Sequence, residues 1–315
     1  MVKCFSTGKK AVPSKNGRLK VLGGKLCDQK GEIVQLKGLS THWLSWYANY
    51  VNQDFFHELA EKWNCNVVRL AMYTAELDGY CVGGDKEGLR KLIREGVEYA
   101  KNADLYVLVD WHILKDSDPN IHKEDAIAFF DEMASEFAKE EHVIYEICNE
   151  PNKGCDWDDV KAYANEVIPV IREHDPLSPI VVGTCTWSQD VDIAAEDPLM
   201  GYENLLYSLH FYAASHKEKL RTRMRKALDA GLPMFVTEYG ICDASGGGDI
   251  DREEARKWFG LLDENDISYI AWNISFRDET SAIFRPDRAK FRDLTEDDMT
   301  DYGKAIYGML TGKGI

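Results

Sequence analysis

Short apolar runs alternate with amphipathic segments along most of the chain. Runs such as Tyr106–Val109 and Val143–Tyr145 are apolar without interruption, which is typical of parallel strands buried on both faces. The predicted strands are Val34–Leu39, Asn66–Met72, Leu105–Trp111, Val143–Cys148, Pro179–Gly183, Leu205–Phe211, Met234–Thr237 and Tyr269–Ile274. Their ends recur about every 33 residues, close to the length of one strand–helix unit. The pattern therefore indicates repeated βα units.

Between the predicted strands, apolar residues recur with the spacing of a helix. In Leu89–Lys101 they occupy positions 89, 92, 93, 97 and 100, which lie on one helical face. Similar stripes predict helices over Ala126–Ala138, Val160–Arg172 and Asp251–Asn265. Eight alternations without a break in composition predict an α/β fold, a (β/α)8 TIM barrel, with one domain over residues 1–315.

A short β-hairpin is predicted in front of the barrel, over residues 17–36. It contains Leu19–Leu22, Lys25–Cys27 and Ile33–Leu36, with glycine-containing turns between them. We expect this hairpin to cover the bottom of the barrel and residues 1–16 to form an N-terminal extension. The alternative fold is a doubly wound open sheet, but no Gly-x-Gly-x-x-Gly follows the first strand to favour it.

The amino-acid composition argues against some classes of binding partner. The formal charge of −16 argues against nucleic acid or an anionic membrane, since both need basic patches. No apolar run approaches the roughly 20 residues that span a bilayer. The N-terminus lacks the hydrophobic core of a signal peptide, so we expect a cytoplasmic protein or a mature or cloned module.

The chain has 8 cysteines and no obvious metal motif. No Cys-x-x-Cys occurs, and no histidine follows at zinc-finger spacing, so the expected number of metal sites is zero. The cysteine content is too low for a disulfide scaffold. A pair between the loop residues Cys81 and Cys155 stays open from the sequence.

Two glutamates end apolar, strand-like runs. Glu150 lies in Ile147–Pro151 and Glu238 lies in Val236–Gly240. Hydrolysis of a glycosidic bond with retention uses one carboxyl group to protonate the leaving oxygen and a second to attack the anomeric carbon. Because strand ends meet at one rim of a barrel, we hypothesise that these carboxyl groups flank a single bond.

Polar and aromatic side chains also collect at the other predicted strand ends: His42, Arg69, Trp111, His112, Asn149, Trp187, His210, Tyr212, Tyr239, Trp272 and Asn273. Each has a structural explanation when taken alone. Arg69, for example, can pair with Glu146, and a lone histidine is more often structural than catalytic. Their accumulation at one rim is better explained by a substrate site.

Several strings resemble glycoside hydrolase family 5: Asn149-Glu150-Pro151, Thr237–Gly240, Asp110–His112, His210–Tyr212 and Gly183–Gln189. The segment Gln35–His42, followed by Trp46 and Tyr47, resembles the bacterial endoglucanases of that family. The resemblance runs from about residue 17 to 310 in motif order. It implies a (β/α)8 barrel, a retaining mechanism, secretion and no cofactor.

The resemblance also implies residue roles. Glu150 would be the general acid/base and Glu238 the nucleophile. Arg69 and Tyr212 would hydrogen-bond Glu238 and keep it ionised, because a nearby cation and donors lower a carboxyl pKa. We expect a carboxyl separation near ~5 Å, whereas a distance above roughly 6.5 Å would indicate inversion.

The remaining implied roles concern sugar binding: Asn149 at the 2-hydroxyl, His112 and His210 around the reacting sugar, Trp272 as its floor, and Trp46 and Trp187 as stacking platforms. His42 is a further expected contact. Two positions depart from the pattern. Trp43 stands where a small residue is expected, and Arg277 stands where these endoglucanases often carry a lysine. Both affect substrate detail rather than reaction class.

The sequence therefore predicts a retaining endo-β-1,4-glucanase, a cellulase, that acts as a monomer on β-glucan polysaccharides or oligosaccharides. The alternatives on the same scaffold are a β-mannanase and a mixed-linkage glucanase. A non-catalytic carbohydrate-binding barrel is disfavoured because both glutamates and Arg69 are present. A metal-dependent hydrolase is disfavoured because His42 is followed by Trp43 and Leu44 rather than by His-x-His.

Overall fold

Eight parallel strands close into a barrel, as predicted. The computed structural model describes residues 10–286 and 290–315. A two-stranded hairpin, β1 (Lys20–Leu22) and β2 (Lys25–Cys27), precedes the barrel. The barrel strands are β3 (Lys37–Thr41), β4 (Val67–Tyr73), β5 (Tyr106–His112), β6 (Val143–Glu146), β7 (Ile180–Gly183), β8 (Leu205–Tyr212), β9 (Met234–Gly240) and β10 (Tyr269–Ile274). Each pairs with its neighbours in chain order, and β10 closes the barrel on β3.

Most predicted strands agree with the observed ones within about two residues, and the larger differences occur at polar strand ends. The first strand was predicted over Val34–Leu39, but it runs from Lys37 to Thr41 because Ser40 and Thr41 are buried in the barrel. The seventh was predicted to end at Thr237 and continues to Gly240. Polar residues thus extend strands whose ends lie inside the protein.

Helices cover the outside of the barrel. The helices are α1 (Pro13–Asn16), α2 (Leu44–Tyr47), α3 (Gln53–Glu61), α4 (Lys86–Asn102), α5 (Lys123–Phe137), α6 (Trp157–His174), α7 (Cys185–Ser188), α8 (Val191–Glu196), α9 (Glu218–Asp229), α10 (Arg252–Glu264) and α11 (Asp301–Leu310). Short 3-10 turns occupy Ala48–Tyr50, Pro119–His122 and Glu296–Asp298. Side-chain oxygens of Asn52, Asp85 and Asp156 cap α3, α4 and α6, satisfying N–H groups that helices leave free.

The hairpin covers the bottom of the barrel. Its strands are β1 (Lys20–Leu22) and β2 (Lys25–Cys27), whereas the predicted third segment, Ile33–Leu36, makes only an isolated bridge from Ile33 to Cys27. Leu19, Leu26, Val34 and Leu36 pack in one apolar cluster with barrel residues such as Phe235. Of the predicted extension over residues 1–16, residues 1–9 lie outside the described part of the chain.

The described cysteines do not form the disulfide considered from the sequence. Cys81 and Cys155 both carry free thiols, and the Cys155 thiol donates to the Asp156 carbonyl at 3.7 Å. Within residues 10–286 and 290–315, no helix is both long enough and apolar enough to cross a membrane.

Candidate active site

A cleft of about 670 Å³ opens at the carboxyl ends of the barrel strands. Nine of the predicted site residues line it: His42, His112, Glu150, Trp187, His210, Tyr212, Glu238, Trp272 and Arg277. Arg69 and Asn149 are buried beneath the cleft, where they contact its glutamates and histidines. Trp46 lies outside it. A concave site with several convergent polar groups is typical of small-molecule binding.

A β-bulge directs Glu238 into the cleft. Phe235 pairs with Ser208, but Glu238 pairs with His210, so β9 has one residue more than β8 between these pairs. The register with β10 shifts in the same stretch. Thr237 and Glu238 can therefore both face the inside of the barrel, which alternation alone forbids.

Glu150 reaches the cleft from the turn that follows β6. Because the strand ends at Glu146, Asn149 and Glu150 both contact the site instead of alternating between faces. One carboxylate oxygen of Glu150 and one of Glu238 lie within 4.8 Å of each other and of a ring nitrogen of His210. The two glutamates are 8% and 4% exposed.

Distinct partners hold the two carboxyl groups. The Tyr212 hydroxyl donates to Glu238 Oε1 at 2.7 Å, and Arg69 Nη1 lies 3.4 Å from Glu238 Oε2. Glu150 Oε1 lies 2.9 Å from His210 Nδ1. The predicted partners of Glu238 are therefore in contact with it.

Burial raises the pKa of Glu150 and of Glu238 to about 7. On Glu238 the nearby Glu150 raises the pKa further, while His210, Arg69 and Tyr212 lower it. The expected lowering by Arg69 and Tyr212 is present, but burial outweighs it. Two carboxyl groups this close titrate as a pair, and the pair retains a proton near neutral pH.

Arg69 is the centre of the buried network. Its Nε lies 2.7 Å from Glu146 Oε2, and its Nη2 lies 2.9 Å from Asp110 Oδ2 and 2.6 Å from Asn149 Oδ1. Both interpretations of Arg69, the structural pair with Glu146 and the contact with Glu238, are thus present at once. Burial raises the pKa of Asp110 and of Glu146 to about 7, although the nearby Arg69 guanidinium lowers both.

Hydrogen bonds fix the orientation of His112 and Asn149. His112 Nδ1 lies 2.6 Å from Asp110 Oδ2, which makes Nδ1 the protonated nitrogen. His112 Nε2 then accepts from Asn149 Nδ2 at 3.3 Å. The ring of His112 stacks on Trp272, with centroids 5.3 Å apart. These contacts hold Trp272 against His112 in the wall of the cleft, and its role as a floor for the sugar stays a prediction.

The two predicted platforms differ. Trp187 lines the cleft and is 38% exposed. Its turn is left-handed, with φ of 55° at Thr186 and Trp187, and its N–H donates to the Pro151 carbonyl. Trp46 is 54% exposed and stacks against Trp43, at 5.3 Å between centroids. It does not line the cleft.

Sequence reasoning missed several residues that line the cleft: Tyr73, Leu114, Gln189, His216, Ser245 and Glu279. Tyr73 is the last residue of β4 and was omitted because the predicted strand ended one residue earlier. Glu279 lies in the loop after β10, where strand ends give no signal. It contacts Arg277 Nε at 3.1 Å and accepts from Asn273 Nδ2 at 2.9 Å.

Comparisons with known proteins all indicate the same family. The family model for cellulase, glycosyl hydrolase family 5, matches residues 27–278. An endoglucanase of Clostridium saccharobutylicum is 45% identical over 305 residues, covering 96% of this chain and 67% of its own length. Endoglucanase A of Butyrivibrio fibrisolvens is 46% identical over 288 residues, covering 90% of this chain and 66% of its own. The chain thus spans about two thirds of these relatives.

Solved structures agree. The catalytic domain of Thermobifida fusca endoglucanase Cel5A is 35% identical, with a TM-score of 0.91, over 96% of this chain and 100% of that chain. A variant of that domain in complex with cellotetraose has a TM-score of 0.90, at 35% identity over 96% of this chain and 100% of its own. The chain belongs to the cellulase family, glycosyl hydrolase family 5, and is a glycoside hydrolase.

Proposed function

We propose that the protein is a retaining endo-β-1,4-glucanase that cleaves cellulose-like chains through a covalent glycosyl-enzyme. The observation that carries the mechanism is the distance of at most 4.8 Å between carboxylate oxygens of Glu150 and Glu238. Retaining enzymes place their carboxyl groups about 5–5.5 Å apart, and inverting enzymes about 6.5–9.5 Å apart to admit a water molecule. The short separation favours retention.

In the first step, Glu238 attacks the anomeric carbon while Glu150 protonates the departing glycosidic oxygen. The raised pKa of Glu150 lets it carry that proton near neutral pH. Tyr212 contacts one carboxylate oxygen of Glu238 and Arg69 contacts the other, so the charged form of Glu238 has a donor at each oxygen. This asymmetry in partners supports Glu238 as the charged member of the pair.

In the second step, Glu150 acts as a base. Formation of the ester removes the negative charge of Glu238, and with it the repulsion that disfavours an ionised Glu150. Glu150 then takes a proton from water, and the resulting hydroxide attacks the anomeric carbon and releases Glu238. His210 hydrogen-bonds Glu150 throughout and holds its carboxyl group in place. The product keeps the β-configuration.

The sugar contacts fit a glucan. Asn149 is buried beside His112, and its Nδ2 donates to His112 Nε2 and to the Ile113 carbonyl, so its expected contact with a 2-hydroxyl group requires one of these bonds to be exchanged. Trp272 provides an apolar face under the ring, and Trp187 provides a second on the cleft wall. The Thermobifida fusca structure with cellotetraose supports the same class of ligand. We expect a monomer that acts outside cells, because a polymeric substrate cannot enter them.

The test is a proton-NMR time course with cellopentaose, run beside mannopentaose. The β-anomer is expected first from cellopentaose, before mutarotation, and should be absent with Glu238→Ala. An α-anomer formed first would refute double displacement. Cleavage of mannopentaose alone would refute the glucan substrate but not the mechanism. If neither is cleaved, the proposed endo-β-1,4-glucanase activity is refuted for short chains.

A further inference from the structure

Three side chains with metal-binding chemistry meet away from the cleft. Cys81 lies in the loop between β4 and α4, His122 ends the 3-10 turn Pro119–His122, and Asp125 lies in the first turn of α5. All three are half-buried. His122 and Asp125 are three residues apart on adjoining helical turns, which places them on one face. None of the three lines the catalytic cleft.

Their donor atoms converge. One donor atom from each of Cys81, His122 and Asp125 lies within 4.8 Å of the other two. In a tetrahedral zinc site the bonds are about 2.0–2.3 Å long, so neighbouring ligand atoms are roughly 3.5 Å apart. The cluster therefore needs a contraction of at most about 1 Å, which rotation of partly exposed side chains can supply.

The backbone around the cluster is held in place. The Cys81 N–H donates to the Thr74 carbonyl at 2.9 Å, which ties the loop to the end of β4. The ring of Tyr80 packs against Phe129 of α5, with centroids 5.7 Å apart. The loop and the helix that carry the donor atoms are thus fixed relative to each other. This fixed spacing lowers the ordering cost of binding a ligand between them.

The three donor groups differ in their present partners. The imidazole of His122 makes no hydrogen bond to another residue in the described part of the chain. The thiol of Cys81 donates to the carboxylate of Asp125, which also pairs with the ammonium of Lys86. The carboxylate therefore already holds a proton and a cation where a metal ion would bind.

We propose that Cys81, His122 and Asp125 form a binding site for a divalent transition metal of the zinc type, with water as the fourth ligand. A thiolate and an imidazole select zinc or cobalt over calcium or magnesium, which require oxygen ligands. On binding, Cys81 Sγ forms a bond to the metal and its proton passes to the buffer, while Lys86 moves into solvent. No atom changes oxidation state.

The proposal does not depend on the hydrolytic activity. The metal connects the loop after β4 to α5, so it stabilises the folded chain according to its concentration and dissociation constant. Without metal, burial and then Asp125 raise the pKa of Cys81 to about 12. A bound dication reverses this effect, since a coordinated thiol is deprotonated. Binding should therefore release one proton and tighten as pH rises.

The test is a titration of the metal-free protein with Co²⁺, followed by absorption spectroscopy. One equivalent should produce a sulfur-to-cobalt charge-transfer band, and ZnCl₂ should abolish it. Cys81→Ser should remove the band, and His122→Ala should weaken binding by roughly tenfold or more. Cys155→Ser is the matched control, because it removes a half-buried rim thiol that has no histidine and carboxylate neighbours of this kind, and it should retain the band.

Three outcomes would overturn the proposal. The first is the absence of a charge-transfer band at any Co²⁺ concentration up to 1 mM, an upper limit we set at about the Kd of weak sites. The second is a band that survives in Cys81→Ser. The third is metal binding that lacks the sulfur band and is lost in Glu150→Gln, which would place the ion on Glu150, His210 and Glu238, the other candidate set. If Cys81→Ser does not fold, the Co²⁺ affinity of His122→Ala tests the proposal, and an unchanged affinity would overturn it.

Discussion

The two ends of the barrel interior differ in chemistry although the same strands build both. Near the bottom, Leu108, Ile144 and Leu206 lie in an apolar cluster under the hairpin. Two residues further along the same strands, on the same faces, the side chains are Asp110, Glu146 and Ser208. Position along the strand therefore separates an apolar layer that stabilises the fold from a polar layer that lies beneath the proposed catalytic residues.

The polar layer is also the less stable of the two. The guanidinium of Arg69 forms ion pairs with Asp110, Glu146 and Glu238, and all four groups are buried. Burying charges costs free energy that pairing only partly offsets, whereas apolar contacts carry no such penalty. The bottom layer thus contributes the stability that lets the upper layer keep its carboxyl groups in an unfavourable environment.

The largest expected effect comes from removing either glutamate of the upper layer. Glu150→Ala and Glu238→Ala should each lower kcat on cellopentaose by at least about 10³-fold, because each removes a reacting group. Added azide should restore turnover of 2,4-dinitrophenyl β-cellobioside in both variants. The Glu150→Ala product should be the β-azide, since Glu238 still forms the ester. The Glu238→Ala product should be the α-azide, since azide then attacks in place of Glu238.

NMR of the two azides distinguishes the roles. Wild-type enzyme is the control and should form no azide adduct of α-configuration. The same anomer from both variants, or the reverse pairing, would contradict the assignment of Glu150 as acid/base and Glu238 as nucleophile.

The second-largest expected effect distinguishes the apolar bottom layer from the polar upper layer at two positions of β9. Phe235 lies in the bottom cluster, whereas the Thr237 hydroxyl contacts His210 Nε2 at 3.0 Å in the upper layer. Phe235→Ala should lower the free energy of unfolding by about 3–5 kcal/mol and leave kcat of the folded enzyme near wild type. Thr237→Val, of similar shape, should lower kcat by roughly tenfold, because the lost hydrogen bond is worth about 1–3 kcal/mol.

Urea unfolding measures the free energy of unfolding of both variants, and initial rates measure their kcat. The comparison fails if Phe235→Ala lowers kcat more than Thr237→Val does, or if Thr237→Val is the less stable of the two.

A third effect is a pH dependence of stability. Burial raises the pKa of Asp110 from 3.8 to about 7 and that of Glu146 from 4.5 to about 7. The folded state therefore binds more protons than the unfolded state between these values, so the free energy of unfolding falls as pH rises through this range. Each such proton contributes a slope of about 1.4 kcal/mol per pH unit.

Glu146→Gln removes one of these groups and should make the slope shallower by up to about 1.4 kcal/mol per pH unit between pH 5 and 7. Denaturant unfolding at several pH values measures this slope, and Glu173→Gln, at an exposed position, is the control. An unchanged slope in Glu146→Gln would mean that Glu146 does not hold a proton in the folded state at neutral pH.

The sequence predicted the barrel because strand periodicity and helix stripes are local signals, and it predicted half of the residues that line the cleft because strand ends share one rim. It did not predict the bulge at Thr237, since an extra residue in one strand depends on pairing with both neighbours. Glu279 was missed for a different reason, because it lies in the loop after β10, beyond the strand ends that the sequence reveals. The meeting of Cys81 with His122 and Asp125 depends on how two loops pack, which no spacing in the sequence records.

The smallest expected effect distinguishes the two tryptophan platforms. Trp187 faces the cleft from a turn that hydrogen-bonds the Pro151 carbonyl, so it is already ordered where a sugar ring can stack. Trp46 continues a row of stacked rings from Tyr73 through Trp43, away from the cleft. Trp187 should therefore contact short substrates, and Trp46 only longer ones.

Trp187→Ala should raise KM for cellotetraose by about 2- to 12-fold, since an aromatic contact is worth about 0.5–1.5 kcal/mol. Trp46→Ala should leave KM for cellotetraose unchanged and raise it only on a soluble cellulose polymer. Initial rates of both variants on both substrates measure the difference. A rise in KM for cellotetraose in Trp46→Ala equal to that in Trp187→Ala would place Trp46 at the cleft after all, because only a ring in contact with the short ligand can affect its binding.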